Sequence, residues 1–391
     1  STTRVIISNG HRFERVVAVA GEEPELMTAR TLRAETLYRD REIPRRLIAR
    51  WVGGSWERSG AGMAEQDGTI APFGGDGVWL RCGLHAHTTM SDGMLDPFML
   101  RRYYTLGGFD VLAITDHDTL TPPPERADRG PTALLLPGAE LSLKAPISGG
   151  PLHVVALGIR ELPSYTLETP LEEVVAAINE QGGVAIVAHP FWSGLLTEEL
   201  GDLAGVAAIE VYNDGCEVEQ SRGDSAYYWD CQLARGVRVN AIATDDHHLP
   251  GFNAFQGWTM VRAAEQTPHA ILDALRNGAF YSSSGPAIHA IHLDEGGLVV
   301  ETSPAVAIAV LGQPPAGARM NAGPHGLSIF GERRLEQSGL REGLLEGQTL
   351  TYARFPRVPG LRYIRVEVID ARGRRAWSNP IWPSDTEATS D

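Results

Sequence analysis

The sequence predicts an α/β fold for the middle of the chain, followed by a β-rich segment. Between Val78 and Ala287, short apolar segments alternate with helical patterns, as is typical of α/β domains. Several apolar segments are nearly continuous in Val, Ile, Leu and Ala, which indicates strands buried on both faces of a parallel sheet. After Ala287 the helical patterns stop and β-like segments continue.

Seven apolar segments are predicted strands: 78-VWLRCGLH, 110-DVLAIT, 133-ALLLPGAE, 152-LHVVALG, 183-GVAIVAHP, 206-VAAIEVYN and 237-VRVNAIATDD. Three segments between or after them are predicted helices. In 170-PLEEVVAAINEQGG the apolar residues fall at i, i+3, i+4 and i+7, and glycines follow. Segments 96-DPFMLRRYYTLGG and 268-PHAILDALRNG have proline near the start and glycine after the end.

Changes in pattern divide the chain into three predicted domains. Residues 1–77 contain a strand-like pair and an arginine-rich amphipathic stretch, and we interpret them as an N-terminal appendage. Residues 78–287 form the α/β domain. Residues 288–391 are predicted to form a small β-sandwich in which 362-RYIRVEVID and 375-RAWSNPIW pair as a hairpin.

Composition limits the classes of partner. The formal net charge of −15 argues against sequence-independent binding to nucleic acid or to an anionic membrane, because both require clustered positive charge. We therefore expect a small-molecule substrate, no nucleic acid and no membrane. Three cysteines without CxxC spacing favour a reducing compartment, so a cytoplasmic location is expected. A leader removed before Ser1 is also compatible with the sequence.

Five of the seven predicted strands end in histidine or carboxylate residues. These are His85 and His87, Asp116 and His117, Glu140, His189, and Asp245 and His247. The carboxyl ends of parallel strands meet at one edge of a sheet or barrel, so these side chains are expected to converge.

The residue types at these ends favour a metal site. A His-x-His pair on an extended strand directs both rings to one face, and imidazole and carboxylate are ligands of Zn²⁺, Mn²⁺ and Fe²⁺. Asp92 follows His87 closely, and Glu140 has two oxygens that can bridge two ions. A lone histidine is more often a packed residue. Burying so many ionisable groups without a cation, however, would be costly.

The same residues carry a family resemblance. The segments 85-HAHTTMSDG, 115-TDH, 138-GAE, 188-AHP and 245-DDH occur in this order, and together they resemble the PHP superfamily, named for polymerase and histidinol phosphatase. The resemblance covers roughly residues 80–287. It implies a distorted (β/α)7 barrel with two or three divalent metal ions (Mn²⁺, Zn²⁺ or Fe²⁺).

The resemblance also implies a ligand set: His85, His87, Asp92, His117, Glu140, His153, His189, Asp245 and His247. His153 is included through the resemblance alone, since it begins its predicted strand. Two departures from the family pattern stand out. Gly83 replaces an aspartate that supports the first histidine in many relatives, and the last motif is enlarged by Asp246 and His248.

The expected activity is metal-dependent hydrolysis by a metal-bridging hydroxide. Glu140 and the histidines would fix the ions, and His247 or His248 would protonate the leaving group. The resemblance favours a phosphoesterase acting on a small phosphorylated or cyclic-phosphate substrate.

Two alternatives stay open. The C-terminal segment is similar to the PHP subfamily of carbaryl hydrolases, which favours a carbamate, ester or amide hydrolase, and the arginines considered for phosphate binding (Arg101, Arg102 and Arg126) are more typical of solvated surface residues. An inactive PHP fold used for binding predicts lost ligands, whereas all expected positions are filled.

Overall fold

A computed structural model of the chain describes residues 77–126, 130–294, 296–322, 332–337, 348–356 and 361–382. The N-terminal appendage predicted for residues 1–77 therefore lies outside the described residues, apart from Gly77. Within the described segments, no helix is long and apolar enough to cross a membrane.

All seven predicted strands and the predicted helices among them are present in the expected order. In the first part of the chain they are β1 (Val78–Gly83), α1 (Pro97–Leu106), β2 (Val111–Ile114), β3 (Leu134–Lys144), β4 (Pro151–Leu157), α2 (Leu171–Glu180), β5 (Val184–Val187), β6 (Val206–Asn213), α3 (Asp214–Gln220), α4 (Ala226–Ala234) and β7 (Asn240–Thr244). Helix α1 begins where sequence predicts, because the Asp96 side chain accepts a hydrogen bond from the Met99 N–H at 2.8 Å.

The strand directions differ from the predicted parallel sheet at one position. Strands β1, β2 and β3 are parallel, as are β5, β6 and β7, but β4 runs antiparallel to both of its neighbours. The start of β4, which carries His153, therefore lies at the edge where the other strands end. A single bridge between Ala86 and His247 links the chain just after β1 to the chain just after β7.

Both faces of these strands are buried, as the continuous apolar segments predicted. Along β4, for example, Val155 packs into one apolar core and Val154 into another on the opposite face. Helix α2 contributes Val174 and Ile178 to the second of these cores. Such two-sided burial accounts for the lack of alternation in the sequence.

The second part of the chain extends the same sheet and adds a separate one. Its elements are β8 (Trp258–Ala263), α5 (Pro268–Arg276), β9 (Phe280–Ser283), β10 (Ile288–Asp294), β11 (Gly297–Ala305), β12 (Ala307–Leu311), β13 (Gly317–Asn321), β14 (Glu332–Gln337), β15 (Gln348–Phe355), β16 (Arg365–Ile369) and β17 (Arg375–Ser378). The long mixed sheet has the order β13-β12-β16-β17-β9-β8-β1-β2-β3-β4-β5-β6-β7, and the antiparallel sheet has the order β10-β11-β15-β14.

The two sheets enclose a third apolar core, to which Val300 and Leu350 contribute from one sheet and Val366 and Val368 from the other. The predicted hairpin of β16 and β17 is confirmed, with Val368 opposite Ala376. The division into domains at residues 287 and 288 remains a prediction. Strands from both sides of this boundary share the long sheet: β1 to β9 come before it, and β12, β13, β16 and β17 come after it.

A buried ion pair joins the second part of the chain to the first. Arg365 of β16 is 1% exposed, and its Nε and Nη2 atoms donate to the two carboxylate oxygens of Asp230 in α4, each at 2.7 Å. The guanidinium also lies 5.0 Å from the centre of the Trp229 ring. This two-pronged geometry fixes α4 against β16.

We expect Asp230→Ala to destabilise the protein by about 3 kcal/mol, because among the described residues it leaves the buried Arg365 charge with Glu367 as its one carboxylate partner, at 3.3 Å. Urea unfolding measures the change. The control is Glu168→Ala, which removes the exposed ion pair with Lys144 and should change stability by about 0.5 kcal/mol or less. Equal effects of the two variants would contradict this account.

Candidate metal centre

The candidate centre lies at the edge where β1 to β3 and β5 to β7 end and β4 begins. His85 and His87 follow β1 and are fully buried, and the His87 backbone N–H donates to the His247 carbonyl at 2.9 Å. The two rings point into the same space, as the His-x-His spacing predicted, with their Nε2 atoms 3.1 Å apart.

Glu140, near the middle of β3, is the centre of the arrangement and is 1% exposed. Five histidine side chains have a ring nitrogen within 3.2 Å of its carboxylate. Oε2 lies 3.2 Å from His85, 3.2 Å from His87 and 3.1 Å from His117, and Oε1 lies 2.8 Å from His153 and 3.0 Å from His189. The structure therefore brings together the predicted histidines from three different strand ends and from the start of β4.

A second carboxylate, Asp246, faces the same space. Its Oδ1 lies 3.0 Å from His87 Nε2 and 3.3 Å from His85 Nε2, yet this buried oxygen forms no hydrogen bond within the described part of the chain. His85, His87, Glu140 and Asp246 each offer a ligand atom within 4.8 Å of the others. Buried ring nitrogens and carboxylate oxygens that converge on one space in this way fit a divalent cation.

Two further groups of potential ligands overlap with this one. His117 and His153 form one with Glu140. His87, Asp92, His117 and His248 form the other, which opens to solvent because the Asp92 side chain is 36% exposed. Asp92 lies 3.4 Å from His248, 3.6 Å from His87 and 3.7 Å from His117. Three overlapping groups can hold more than one ion.

Three predicted ligands lie outside these groups: His189, which still lies 3.0 Å from Glu140, and Asp245 and His247. Asp245 accepts hydrogen bonds from the backbone N–H groups of residues 255, 256 and 257 and from Tyr104 Oη, at 2.7 to 2.9 Å. Both oxygens of Asp245 thus already accept hydrogen bonds, whereas Asp246 Oδ1 faces the histidines. Asp246 adopts a left-handed backbone with φ 50°, which turns consecutive side chains in directions that strand alternation does not predict.

His247 points away from these groups as well. Its ring lies against Tyr103 and Tyr104, with centroids 5.4 and 5.8 Å away, and neither ring nitrogen has a hydrogen-bond partner among the described residues. Burial, together with the neighbouring His248, lowers the pKa of His247 to about 3. A ring with so low a pKa is neutral and lacks the acidic imidazolium proton, so it does not suit the predicted role of general acid.

Glu210 supports the centre and was not selected from the sequence. This buried glutamate in β6 accepts a hydrogen bond from His85 Nδ1 at 2.7 Å and from the His189 backbone N–H at 2.9 Å. Glu210 thus supports the first histidine, His85, which is the role that the family resemblance implies for an aspartate at the position of Gly83. An added side chain on Gly83 would instead meet the Tyr104 ring at 2.8 Å. The signal for Glu210 was a charge inside the apolar segment 206-VAAIEVYN.

Electrostatics tie the histidines to the carboxylates. Burial alone would raise the pKa of Glu140, but the nearby His85, His153 and His117 hold it well below its usual range. Burial alone would likewise lower the pKa of His85, but Asp246, Glu140 and Glu210 raise it well above its usual value. The carboxylates therefore stay ionised and require compensating positive charge, from protons or from a metal ion.

Other predicted residues have structural positions. Asp116 lies at the end of β2 and accepts hydrogen bonds from Thr88 and Ser91, which holds the turn that carries Asp92. Arg101 donates to the Ala133 carbonyl at 2.8 Å, and Arg102 and Arg126 lie near the Phe98 ring. An arginine that we did not consider, Arg222, lies instead near Phe191, which follows His189.

The two neighbouring aspartates should respond differently to substitution. Asp245→Asn places an amide among four donors, and we expect it to destabilise the metal-free protein by about 3 kcal/mol. Asp246→Asn keeps an oxygen that can accept the hydrogen bond from Asn213 Nδ2 and loses the attraction to His85 and His87, so its effect on metal-free stability should be smaller. Urea unfolding after treatment with a chelator gives both values, and the opposite order would be incompatible with the geometry.

No family model matches the chain. The 5'-3' exoribonuclease Rnm of Escherichia coli is 41% identical over 80 residues, which cover 19% of this chain and 27% of the relative. The Salmonella typhimurium protein of the same name gives the same figures. The chain thus spans about a quarter of the length of these curated relatives.

Among solved structures, the chain is similar to a two-domain protein from Bacteroides vulgatus containing a predicted PHP-like metal-dependent phosphoesterase. The identity is 17%, the match covers 81% of this chain and 96% of the other, and the TM-score is 0.43. An amidohydrolase from Chromobacterium violaceum is 18% identical over 44% of this chain and 88% of its own, with a TM-score of 0.33. These are structures to which the chain is similar, and the resemblance to carbaryl hydrolases stays a prediction.

Proposed function

We propose that the chain is a metal-dependent hydrolase on a distorted (β/α)7 barrel, and that it acts as a phosphoesterase on a small phosphorylated substrate. One observation carries the proposal: Glu140 is buried among five histidines, with Asp246 facing the same space. So many buried ionisable groups are typical of a cation site, because their desolvation must be offset.

The proposed ligands differ from the predicted set at one motif, where Asp246 and His248 replace Asp245 and His247. The complete set is His85, His87, Asp92, His117, Glu140, His153, His189, Asp246 and His248. Mixed imidazole and carboxylate ligands suit Mn²⁺, Zn²⁺ or Fe²⁺, and the overlap of the groups favours two or three ions. Bound divalent ions would polarise the scissile bond and lower the pKa of a water molecule.

The protein's own residues hold this centre in place. Glu210 fixes the ring of His85 by accepting from Nδ1, and Ser193 lies 3.2 Å from His189 Nδ1 and fixes that ring. Trp192 packs against His189, with ring centroids 4.9 Å apart, and covers one side of the centre. Partners of this kind set the orientation and basicity of ligand histidines.

His248 is the predicted proton donor that reaches the centre. Its ring stacks on His87 with centroids 4.2 Å apart, and its side chain is 27% exposed on the open side. From this position it can bind an ion with Asp92 or hold a proton near a leaving group. A binding-only fold is a weaker alternative, because it predicts lost ligands, whereas the described residues offer three groups of potential metal ligands.

Two observations favour phosphorus over carbon as the reacting centre. The curated relative with 41% identity over 80 residues is an exoribonuclease, whose name describes cleavage of phosphodiester bonds. In this chain, Arg222 places a cation beside the loop that carries His189, where it can attract an anionic ester. The relative also brings RNA ends into consideration as substrates, against the expectation from net charge.

A carbonyl hydrolase is the second candidate, and the open side of the centre gives it support. Met90, Met94, Phe191 and Phe252 lie within a few residues of proposed ligands and are 37% to 50% exposed. Apolar side chains at a mouth suit an uncharged ester or carbamate. These two functions differ in the bond that is cleaved, so substrates can separate them.

We expect Glu140→Gln to lower bound metal severalfold and to reduce hydrolysis at least about 100-fold, because the variant loses the charge that two overlapping ligand groups share. Elemental analysis after dialysis against Mn²⁺ or Zn²⁺ gives the metal content. The control is His269→Ala, which changes a histidine whose side chain is 87% exposed. Full metal content in Glu140→Gln would exclude the proposed centre.

A substrate panel decides between the two functions. The metal-loaded protein should hydrolyse phosphomonoesters, phosphodiesters or short RNA, and chelation followed by return of the metal should abolish and restore the rate. Carbamates, carboxylic esters and amides should be turned over at least about tenfold more slowly, because these uncharged substrates lack the phosphoryl anion that bound divalent ions would attract and orient. Turnover of the carbonyl compounds alone would replace the phosphoesterase by the second candidate.

A further inference from the structure

An exposed aromatic surface lies beside the candidate centre, formed by the loops that follow β5 and β6. Phe191 comes two residues after His189 and is 37% exposed. Its backbone N–H donates to Ser225 Oγ at 3.2 Å, and its ring centroid lies 6.3 Å from that of Tyr228 at the start of α4. We name Phe191, Tyr228 and Arg222 the aromatic shelf.

Arg222 gives the shelf its charge. Its guanidinium carbon lies 5.8 Å from the centre of the Phe191 ring, and the residue is exposed between α3 and α4. Within the described ranges it forms no ion pair, whereas Arg365, Arg374 and Arg375 are each paired with a carboxylate. Its charge is thus available to an anionic ligand.

The residue next to Phe191 has the opposite orientation. Trp192, directly after Phe191, turns inward and packs between His189 and His153, with ring centroids 4.9 and 6.1 Å away. Phe191 therefore occupies the outward side of a loop whose inner side covers the centre. Because β5 and β6 are adjacent and parallel, the shelf lies on the rim next to His189.

We propose that the aromatic shelf binds a planar aromatic group of the substrate while the phosphoryl group lies at the centre. This inference rests on the proposed phosphoesterase function and names the class of substrate: an anionic ester that carries an aromatic ring. Offset stacking on Phe191 contributes about 0.5 to 1.5 kcal/mol beyond simple burial, or about two- to tenfold in affinity. Arg222 attracts the anionic group and does not distinguish an aromatic ring from a saturated one.

The test compares the binding of benzylphosphonate and cyclohexylmethylphosphonate to the metal-loaded full chain by calorimetry. The two ligands resemble each other in size and charge, differ in aromaticity, and contain a P–C bond that hydrolysis leaves intact. We expect benzylphosphonate to bind about fivefold more tightly. Phe191→Leu keeps an apolar side chain and should abolish the preference, whereas Phe191→Tyr should retain it.

Tyr227→Leu is the matched control, since it changes an aromatic residue of α4 that is 71% exposed and lies outside the shelf, and it should leave the preference unchanged. Equal affinities in the unchanged protein, a preference that survives Phe191→Leu, or no binding of either ligand would overturn the shelf. Turnover of the corresponding phosphate esters is measured in parallel. An aromatic preference in binding without any ester turnover would leave the shelf in place and overturn the phosphoesterase.

Discussion

The candidate metal centre depends on one buried carboxylate, that of Glu140. Its two oxygens lie within 3.2 Å of ring nitrogens from five histidines. Such a group is tolerable in a protein interior only when positive charge compensates it. The strand ends, the reversed direction of β4 and the second carboxylate at Asp246 all bring ligand atoms or charge to this point.

The surroundings of Glu140 are organised by carboxylates with separate tasks. Glu210 orients His85 and the backbone of His189, and Asp116 holds the turn that carries Asp92. Asp245 accepts hydrogen bonds from the backbone N–H groups of residues 255 to 257, just before β8. It therefore links the end of β7 to the start of β8, where the long sheet continues. Asp245 thus stabilises the fold, whereas the adjacent Asp246 faces the histidines of the candidate centre.

Much of this arrangement could be predicted from sequence, because the relevant signals are local. The seven apolar segments became strands, and histidines such as His85 and His189 lie at the centre because they follow strands directly. The direction of β4 has no such signal, and only the family resemblance suggested His153. The resemblance did not identify Glu210, although a charge within an apolar strand was visible.

The choice between Asp245 and Asp246 depended on backbone geometry that the sequence does not specify. Strand alternation would continue through the motif TDDHH, but the left-handed conformation at Asp246, with φ 50°, changes the direction of the following side chains. Non-glycine residues in this conformation persist where surrounding contacts enforce them, often at functional sites. His189, with φ 27°, is a second example at the same centre.

The most direct test of the central claim is anomalous diffraction from crystals of the protein grown with Mn²⁺ or Zn²⁺. Peaks are expected within coordination distance, about 2.0 to 2.3 Å, of the Glu140 carboxylate and of Asp246, with ring nitrogens of the surrounding histidines completing the coordination. An absence of metal at Glu140, or an ion held instead by Asp245 and His247, would contradict the account.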